Sequence, residues 1–114
     1  MGLTLRDVVR ILECELITGE DFLDKTIERG CAADLMSDVL AFSKPGSVLL
    51  TGLTNEQTVR TADIAEVVAI VFVRGKRPGE DTIELAHRRG MPLLCTPLFM
   101  YEACGRMFAN NLKG

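Results

Sequence analysis

Three short and almost continuously apolar segments recur along the second half of the chain. They cover residues 47–51 (SVLLT), 67–73 (VVAIVFV) and 93–96 (LLCT). Each is rich in aliphatic or β-branched side chains and lacks the alternation of a strand with one solvated face. Such runs are typical of strands that are covered on both faces, which occur mainly in parallel sheets. The pattern therefore predicts three buried, parallel strands.

Helix signals lie between these strands. Thr54 and Gln57 have the spacing of a capping box, which predicts a helix that runs to about Glu66. Pro78 suits the first position of the next helix, because its missing N–H group costs nothing there. That helix ends in a basic last turn followed by Gly90. The order strand, helix, strand, helix, strand is typical of right-handed βαβ crossovers.

Helices are also predicted in the N-terminal part and at the end of the chain. Thr4 is expected to cap a helix with an inward face of Leu5, Val8, Val9 and Leu12. Residues 15–18 and 25–29 are weaker strand candidates. A helix over residues 34–42 is expected to turn inward Leu35, Met36, Val39 and Leu40. The last helix, residues 98–110, has a wide apolar face, which indicates either deep packing or a subunit contact in a homodimer.

These elements predict an α/β fold, namely a three-layer sandwich around a mostly parallel sheet of about four or five strands. A chain of 114 residues has the usual size of one domain. The sequence has 13 basic and 16 acidic side chains and a net charge of −3, which gives no reason to expect a nucleic acid or an anionic membrane as partner. No apolar run approaches the ~18 residues of a membrane span, and we recognise no export signal, so we expect a cytoplasmic protein.

The cysteines and the histidine do not suggest a metal or catalytic centre. The four cysteines are widely spaced and form no C-x-x-C pair, whereas a metal site usually has two ligands close in sequence. We interpret them as free thiols in a reducing compartment. His87 lies in the last turn of a predicted helix, where its interaction with the helix dipole is a sufficient explanation. Asp34 and Asp38 share a predicted helix face, and we favour a solvated or capping role for them over cation binding.

Polar residues follow each of the three apolar strands. Because ligands bind beyond the carboxyl ends of strands in open parallel sheets, we expect these turns to meet and to form a binding site. Free helix amides beside cationic side chains suit a phosphate or carboxylate, so the hypothesis is a small anionic ligand such as a nucleotide. The candidate ligand-binding residues are Thr51, Gly52, Thr54, Asn55, Arg74, Gly75, Lys76, Arg77 and Thr96.

A purely structural interpretation of the same turns stays open. Thr51 and Gly52 can form a tight turn at the end of a strand, and Thr54 can serve only as a helix cap. The basic segment 74–77 can be a solvated loop. No lysine follows a G-x-x-x-x-G segment, so a P-loop is not supported. No nucleophile has an evident base, and we therefore expect no catalytic residues, no metal and no cofactor.

Four segments of the chain together resemble the DRTGG domain family. The resemblance runs from about residue 12 to residue 108, and its segments are DLMSDVL (34–40), LLTGLTN (49–55), IVFVRGKRP (70–78) and MPLL (91–94). The name-giving motif differs here, since Thr51 and Gly52 are followed by Leu53 instead of a second glycine. On this resemblance residues 1–114 would form a single DRTGG-like domain.

The resemblance implies a regulatory or assembly role. The family is similar to the N-terminal domain of HPr kinase/phosphorylase, accompanies CBS domains in regulatory pyrophosphatases, and has short stand-alone members in anaerobic bacteria, some near iron hydrogenase genes. It implies no catalytic residues and a frequent position at dimer interfaces. The first hypothesis is therefore a non-enzymatic sensory module that acts through a dimer or a partner enzyme. The alternatives are a ligand-free assembly subunit, linked to hydrogenase or other anaerobic redox metabolism, and a small enzyme that acts on a phosphorylated substrate.

Overall fold

The centre of the molecule is a five-stranded sheet, seen in a computed structural model that describes residues 2–114. Two short strands, β1 (Leu3–Thr4) and β3 (Thr26–Ile27), pair with each other outside this sheet. The sheet strands are β2 (Glu15–Thr18), β4 (Arg29–Ala32), β5 (Ser47–Thr51), β6 (Ala69–Phe72) and β7 (Leu93–Cys95), in the spatial order β2-β7-β6-β5-β4. All neighbours are parallel except β2, which pairs antiparallel with β7 at one edge.

Helices cover both faces of this sheet. They are α1 (Leu5–Leu12), α2 (Met36–Phe42), α3 (Glu56–Ile64), α4 (Glu80–Arg89) and α5 (Met100–Ala109). One core layer packs α1 and α5 against the sheet, and the other packs α2, α3 and α4 against its opposite face. Val48 and Leu50 of β5 point into the first layer, and Leu49 points into the second. This two-sided burial explains the continuous apolar runs, and the predicted three-layer α/β sandwich is confirmed.

Two helix ends follow the sequence signals closely. At the start of α1 the Thr4 hydroxyl accepts from the Asp7 amide at 3.3 Å, and the Asp7 carboxylate accepts from the Thr4 amide at 2.8 Å. This reciprocal box satisfies two amides that the helix itself cannot pair. At the end of α4, Gly90 has a φ of 66°, the left-handed conformation that favours glycine.

Two predicted helix starts are wrong by one or two residues. The cap of α3 is Asn55, whose side-chain oxygen accepts from the Thr58 amide at 3.0 Å, and not Thr54. Both residue types can cap a helix, and only contact with the amide three positions later decides between them. Helix α4 begins at Glu80 with Gly79 as its cap, so Pro78 lies before the helix and is buried there.

The segment between residues 25 and 42 departs most from the prediction. The single strand expected over residues 25–29 is replaced by the short β3 and by β4, which is an edge strand of the main sheet. In α2 only Val39 is buried, whereas Leu35 and Leu40 are 60% and 50% exposed. The expected inward face is therefore wrong for these two leucines. The reason is that this seven-residue helix packs mainly against α3, which covers only a narrow stripe of it.

Helix α5 combines a packed side with an exposed aromatic side. Ala103 and Met107 are buried in the core, while Phe99, Tyr101 and Phe108 are 67%, 93% and 59% exposed. The predicted packing is therefore found for the side of the helix that carries Ala103 and Met107, and the subunit contact stays a prediction. Across residues 2–114, the helices are too short or too polar to cross a membrane.

Candidate functional site

The turns after β5, β6 and β7 meet at one edge of the sheet, which we call the carboxyl rim. The Arg74 amide donates to the Leu98 carbonyl at 2.8 Å, and the Gly75 amide donates to the Thr96 carbonyl at 2.8 Å. These two bonds join the β6 turn to the β7 turn. Gly52 joins the β5 turn to them through its contact with the Arg74 side chain. The expectation that the three turns come together is confirmed.

The Arg74 guanidinium lies directly on the backbone of Gly52. A Cβ atom at Gly52 would be 2.7 Å from Nη2 and 3.2 Å from Cζ of Arg74, so only glycine allows this approach. Arg74 and Gly75 both have a positive φ, 62° and 68°, and the Lys76 amide donates to the Val73 carbonyl across the turn at 3.2 Å. A positive φ is uncommon for a residue with a Cβ, and it carries strain that often accompanies a functional role.

Arg74 and Lys76 are exposed cations at the carboxyl rim. Within residues 2–114, neither has a carboxylate within 4.0 Å. Arg77 differs, because its Nη1 lies 2.6 Å from Oε1 of Glu15. The β6 turn therefore offers two cations without an acidic partner and a third that is already paired. Guanidinium and ammonium groups of this kind suit a phosphate or carboxylate ligand.

Asp34, in the connection between β4 and α2, occupies the donors of the β5 turn. Its Oδ1 accepts from the Gly52 amide at 2.7 Å and from the Thr51 hydroxyl at 3.2 Å. Thr51 is fully buried, and its own oxygen accepts from the Leu53 amide at 3.2 Å. The expectation that the β5 turn presents free donors to an anion is therefore wrong for the Thr51 hydroxyl and the Gly52 amide. A solvated or capping role on a helix face was expected for Asp34, and its contact with the β5 turn was not predicted because the strand β4 that precedes it was not predicted as such.

Two further predicted residues lie elsewhere or are fully engaged. Asn55 lines a shallow depression between the starts of α3 and α4, which also contains Glu56, Glu80 and Asp81 and is unsuited to an anion. The Thr96 hydroxyl is buried, donates to the Leu12 carbonyl at 2.6 Å and accepts from the Leu98 amide at 3.1 Å. Its role is to tie the β7 turn to the end of α1.

Thr54 is half-buried and does not cap α3, as described above. Of the nine predicted residues, Arg74 and Lys76 remain at the rim as cations without a carboxylate within 4.0 Å in the described chain, on a turn that includes Gly75 and beside the backbone of Gly52. Asp34 is the residue that the structure adds. Asp34 and Arg74 thus both contact Gly52, and Lys76 follows in the same turn as Arg74.

The four thiols have environments that disfavour reactivity. Burial raises the pKa of the Cys14 thiol to about 12, and burial also raises the pKa values of Cys31, Cys95 and Cys104. His87 Nδ1 lies 3.4 Å from the Thr18 hydroxyl at the opposite end of α4 from the rim. Among residues 2–114 no three histidine, cysteine or acidic side chains converge as metal ligands would.

Comparison with known proteins supports the fold. No model of a known protein family matches the chain, and no characterised protein sequence does. A similar solved structure is the regulatory region of Clostridium perfringens pyrophosphatase, comprising CBS and DRTGG domains and complexed with its activator, diadenosine tetraphosphate. The TM-score is 0.75 at 17% identity, and the match covers 91% of this chain but 45% of that one. The chain thus has a fold like that of a CBS and DRTGG region and spans less than half of that structure.

Proposed function

We propose that the chain is a single, non-enzymatic, cytoplasmic regulatory module that binds a small anionic ligand at the carboxyl rim. A nucleotide is the leading candidate for this ligand. The observation that carries the proposal is the Arg74 guanidinium, which is held on Gly52 by a strained turn and has no acidic partner within the described chain. Lys76 adds a second cation in the same turn.

Two arguments favour a ligand over a solvated loop. The Arg74 guanidinium lies where a Cβ atom of Gly52 would be, a close approach that a freely solvated side chain does not need. The similar pyrophosphatase region is a regulatory one, and it was solved with a dinucleotide activator. This supports a regulatory role here, with ligand occupancy passed on to a partner enzyme.

Calorimetric titration of the full chain with ADP and with pyrophosphate tests this proposal. Arg74→Gln is expected to weaken binding by about tenfold or more, the value of one charge-assisted hydrogen bond. Arg88→Gln is the matched control, because Arg88 is an exposed arginine at the far end of α4 that forms no ion pair with residues 2–114. No heat from either anion, or an equal effect of both variants, would contradict the proposal.

The outer side of α5 favours a homodimer as the working form of the module. Tyr101, Gly105 and Phe108 lie along one stripe of the helix at spacings of four and three residues. In an antiparallel crossing centred on Gly105, Tyr101 of one copy meets Phe108 of the other, so the stripe is complementary to itself. The nearby Arg106 already pairs with Glu13 and Glu102, each at 2.7 Å, and Lys113, whose Nζ lies 4.0 Å from the centroid of the Phe108 ring, is the cation that such a contact has to accommodate.

The same stripe carries the second candidate function, a ligand-free assembly subunit. Its link to hydrogenase or other anaerobic redox metabolism rests on the family resemblance alone. The two functions are separated by a thermal unfolding screen, because a ligand that binds only the folded state raises the midpoint. A dimer whose melting temperature responds to no anion would favour the assembly role.

A further inference from the structure

Asp34 places a carboxylate beside the cations of the carboxyl rim. Its Oδ1 holds the Gly52 amide at 2.7 Å and the Thr51 hydroxyl at 3.2 Å. Oδ2 accepts no hydrogen bond from residues 2–114, and the residue is exposed. One oxygen therefore fixes the turn, and the other is a free acceptor that faces solvent.

Gly52 lies between this carboxylate and the Arg74 guanidinium. Its amide donates to Asp34, and the Arg74 guanidinium lies where its Cβ would be, so both charged groups border this one residue. They form no ion pair, since no nitrogen of Arg74 lies within 4.0 Å of an acidic oxygen of the described chain. The rim thus has a hydrogen-bond acceptor, Asp34, and a cation, Arg74, on either side of Gly52.

We infer that Asp34 determines the specificity of this site, in that it selects a ligand with a hydrogen-bond donor next to its anionic group. This inference rests on the proposed function. A bare inorganic anion on Arg74 meets the like charge of Asp34, which disfavours it. A nucleotide can place a phosphate on Arg74 and a ribose hydroxyl on Oδ2, a contact that carboxylates make in other nucleotide sites. The site therefore prefers a nucleoside phosphate to phosphate or pyrophosphate.

Asp34→Asn separates this role from a structural one. The amide oxygen of asparagine still accepts from Gly52 and Thr51, so the turn keeps its bonds. The charge disappears, and the second oxygen becomes an NH₂ donor. A residue that only fixes the turn would tolerate this change without altering ligand choice. An unchanged melting temperature of Asp34→Asn would show that the turn is intact.

The experiment measures binding of ADP, 2′,3′-dideoxy-ADP and pyrophosphate to the full chain by calorimetry. The original protein should bind ADP at least about tenfold tighter than the dideoxy compound or pyrophosphate, as expected for one hydrogen bond to a charged group. In Asp34→Asn pyrophosphate should bind about tenfold tighter, and the difference between the two nucleotides should disappear. Asp38→Asn, an exposed acid on α2, is the control and should change neither ratio.

The outcomes separate this inference from the proposed function. If Arg74→Gln abolishes ADP binding while Asp34→Asn leaves both ratios unchanged, the anion site stands and the role of Asp34 is overturned. If neither the original protein nor Asp34→Asn binds any of the three compounds, both ideas are overturned. If only Asp34→Asn binds pyrophosphate, the exclusion of simple anions by Asp34 is supported and the nucleotide ligand is not.

Discussion

The carboxyl rim and the outer side of α5 are built in opposite ways. At the rim the hydroxyls of Thr51 and Thr96 have internal partners, whereas Arg74 and Lys76 have no carboxylate within 4.0 Å in the described chain. On α5 the charged Arg106 is paired twice, and the aromatic side chains of Tyr101 and Phe108 are 93% and 59% exposed, with the Lys113 ammonium 4.0 Å from the centroid of the Phe108 ring. A cation without an acidic partner favours the binding of a small anion, whereas exposed aromatic rings favour contact with another apolar surface. The two regions should therefore respond to different substitutions.

The largest effect is expected on the α5 side. Replacing Tyr101 and Phe108 together by glutamate should weaken self-association by more than about a hundredfold, because buried aromatic anchors dominate protein interfaces. The dissociation constant is measured by sedimentation equilibrium, and ADP affinity should change by less than about twofold. Ile64→Glu is the control, since Ile64 is 70% exposed on α3 and away from the stripe. A monomeric original protein, or a dimer that withstands the double change, would contradict the α5 contact.

The next effect concerns the internal bonds of the rim. Thr96→Val keeps the shape of the side chain but removes the hydroxyl, which leaves the Leu12 carbonyl and the Leu98 amide without their partner. We expect the free energy of unfolding to fall by about 1–3 kcal/mol in urea titrations. Thr26→Val, at an exposed position of β3, should cost less than about 0.5 kcal/mol. An equal loss of unfolding free energy in Thr96→Val and Thr26→Val would show that the hydrogen bonds of Thr96 do not stabilise the fold.

A smaller effect on stability, but a clear one on binding, is expected at Gly52. In Gly52→Ala the new Cβ displaces the flexible end of Arg74, so the fold adjusts at a cost of about 1 kcal/mol or less. Because the guanidinium is moved from its place, ADP binding should weaken by about tenfold in calorimetry. Gly79→Ala has open space around its Cβ and should leave the affinity unchanged. Normal ADP binding by Gly52→Ala would show that the contact between Gly52 and Arg74 is not needed for the ligand.

Strands that are buried on both faces could be predicted from the sequence, whereas an edge strand could not. The strands β5, β6 and β7 were predictable because burial on both faces requires an unbroken apolar run, and their parallel order placed three turns at one rim. The strand β4 (Arg29–Ala32) was not predictable, because it lies at an edge of the sheet and has no continuous apolar run. For the same reason the contact of Asp34 with the β5 turn was not predicted.

The partners of the rim side chains were beyond sequence reasoning for a different reason. Thr96 bonds to a carbonyl 84 positions away, and Arg77 pairs with an acid 62 positions away. Only the packing of α1 and of β2 against the end of β7 brings these groups together. Local patterns identify which residues can bind an anion, but tertiary structure decides which of them are still free to do so.

The smallest expected effect is the reactivity of the thiols, which compares a cysteine in the interior with one on the α5 side. Because burial raises the pKa of Cys14 to about 12, its thiolate fraction at pH 8 is very small. Cys104 is half-buried and borders the outer side of α5. Brief alkylation with iodoacetamide at pH 8, followed by peptide mass spectrometry, should modify Cys104 faster than Cys14.

Self-association adds a second prediction to that labelling experiment. If α5 forms the dimer contact, Cys104 should be modified more slowly at high protein concentration than at low concentration, while the rate for Cys14 stays constant. The thiolate fraction rises with pH up to the pKa, so the Cys14 rate should still increase between pH 9 and pH 11. Protection of Cys104 by added ADP, with no dependence on protein concentration, would place the ligand on α5 and reverse the assignment of the two regions.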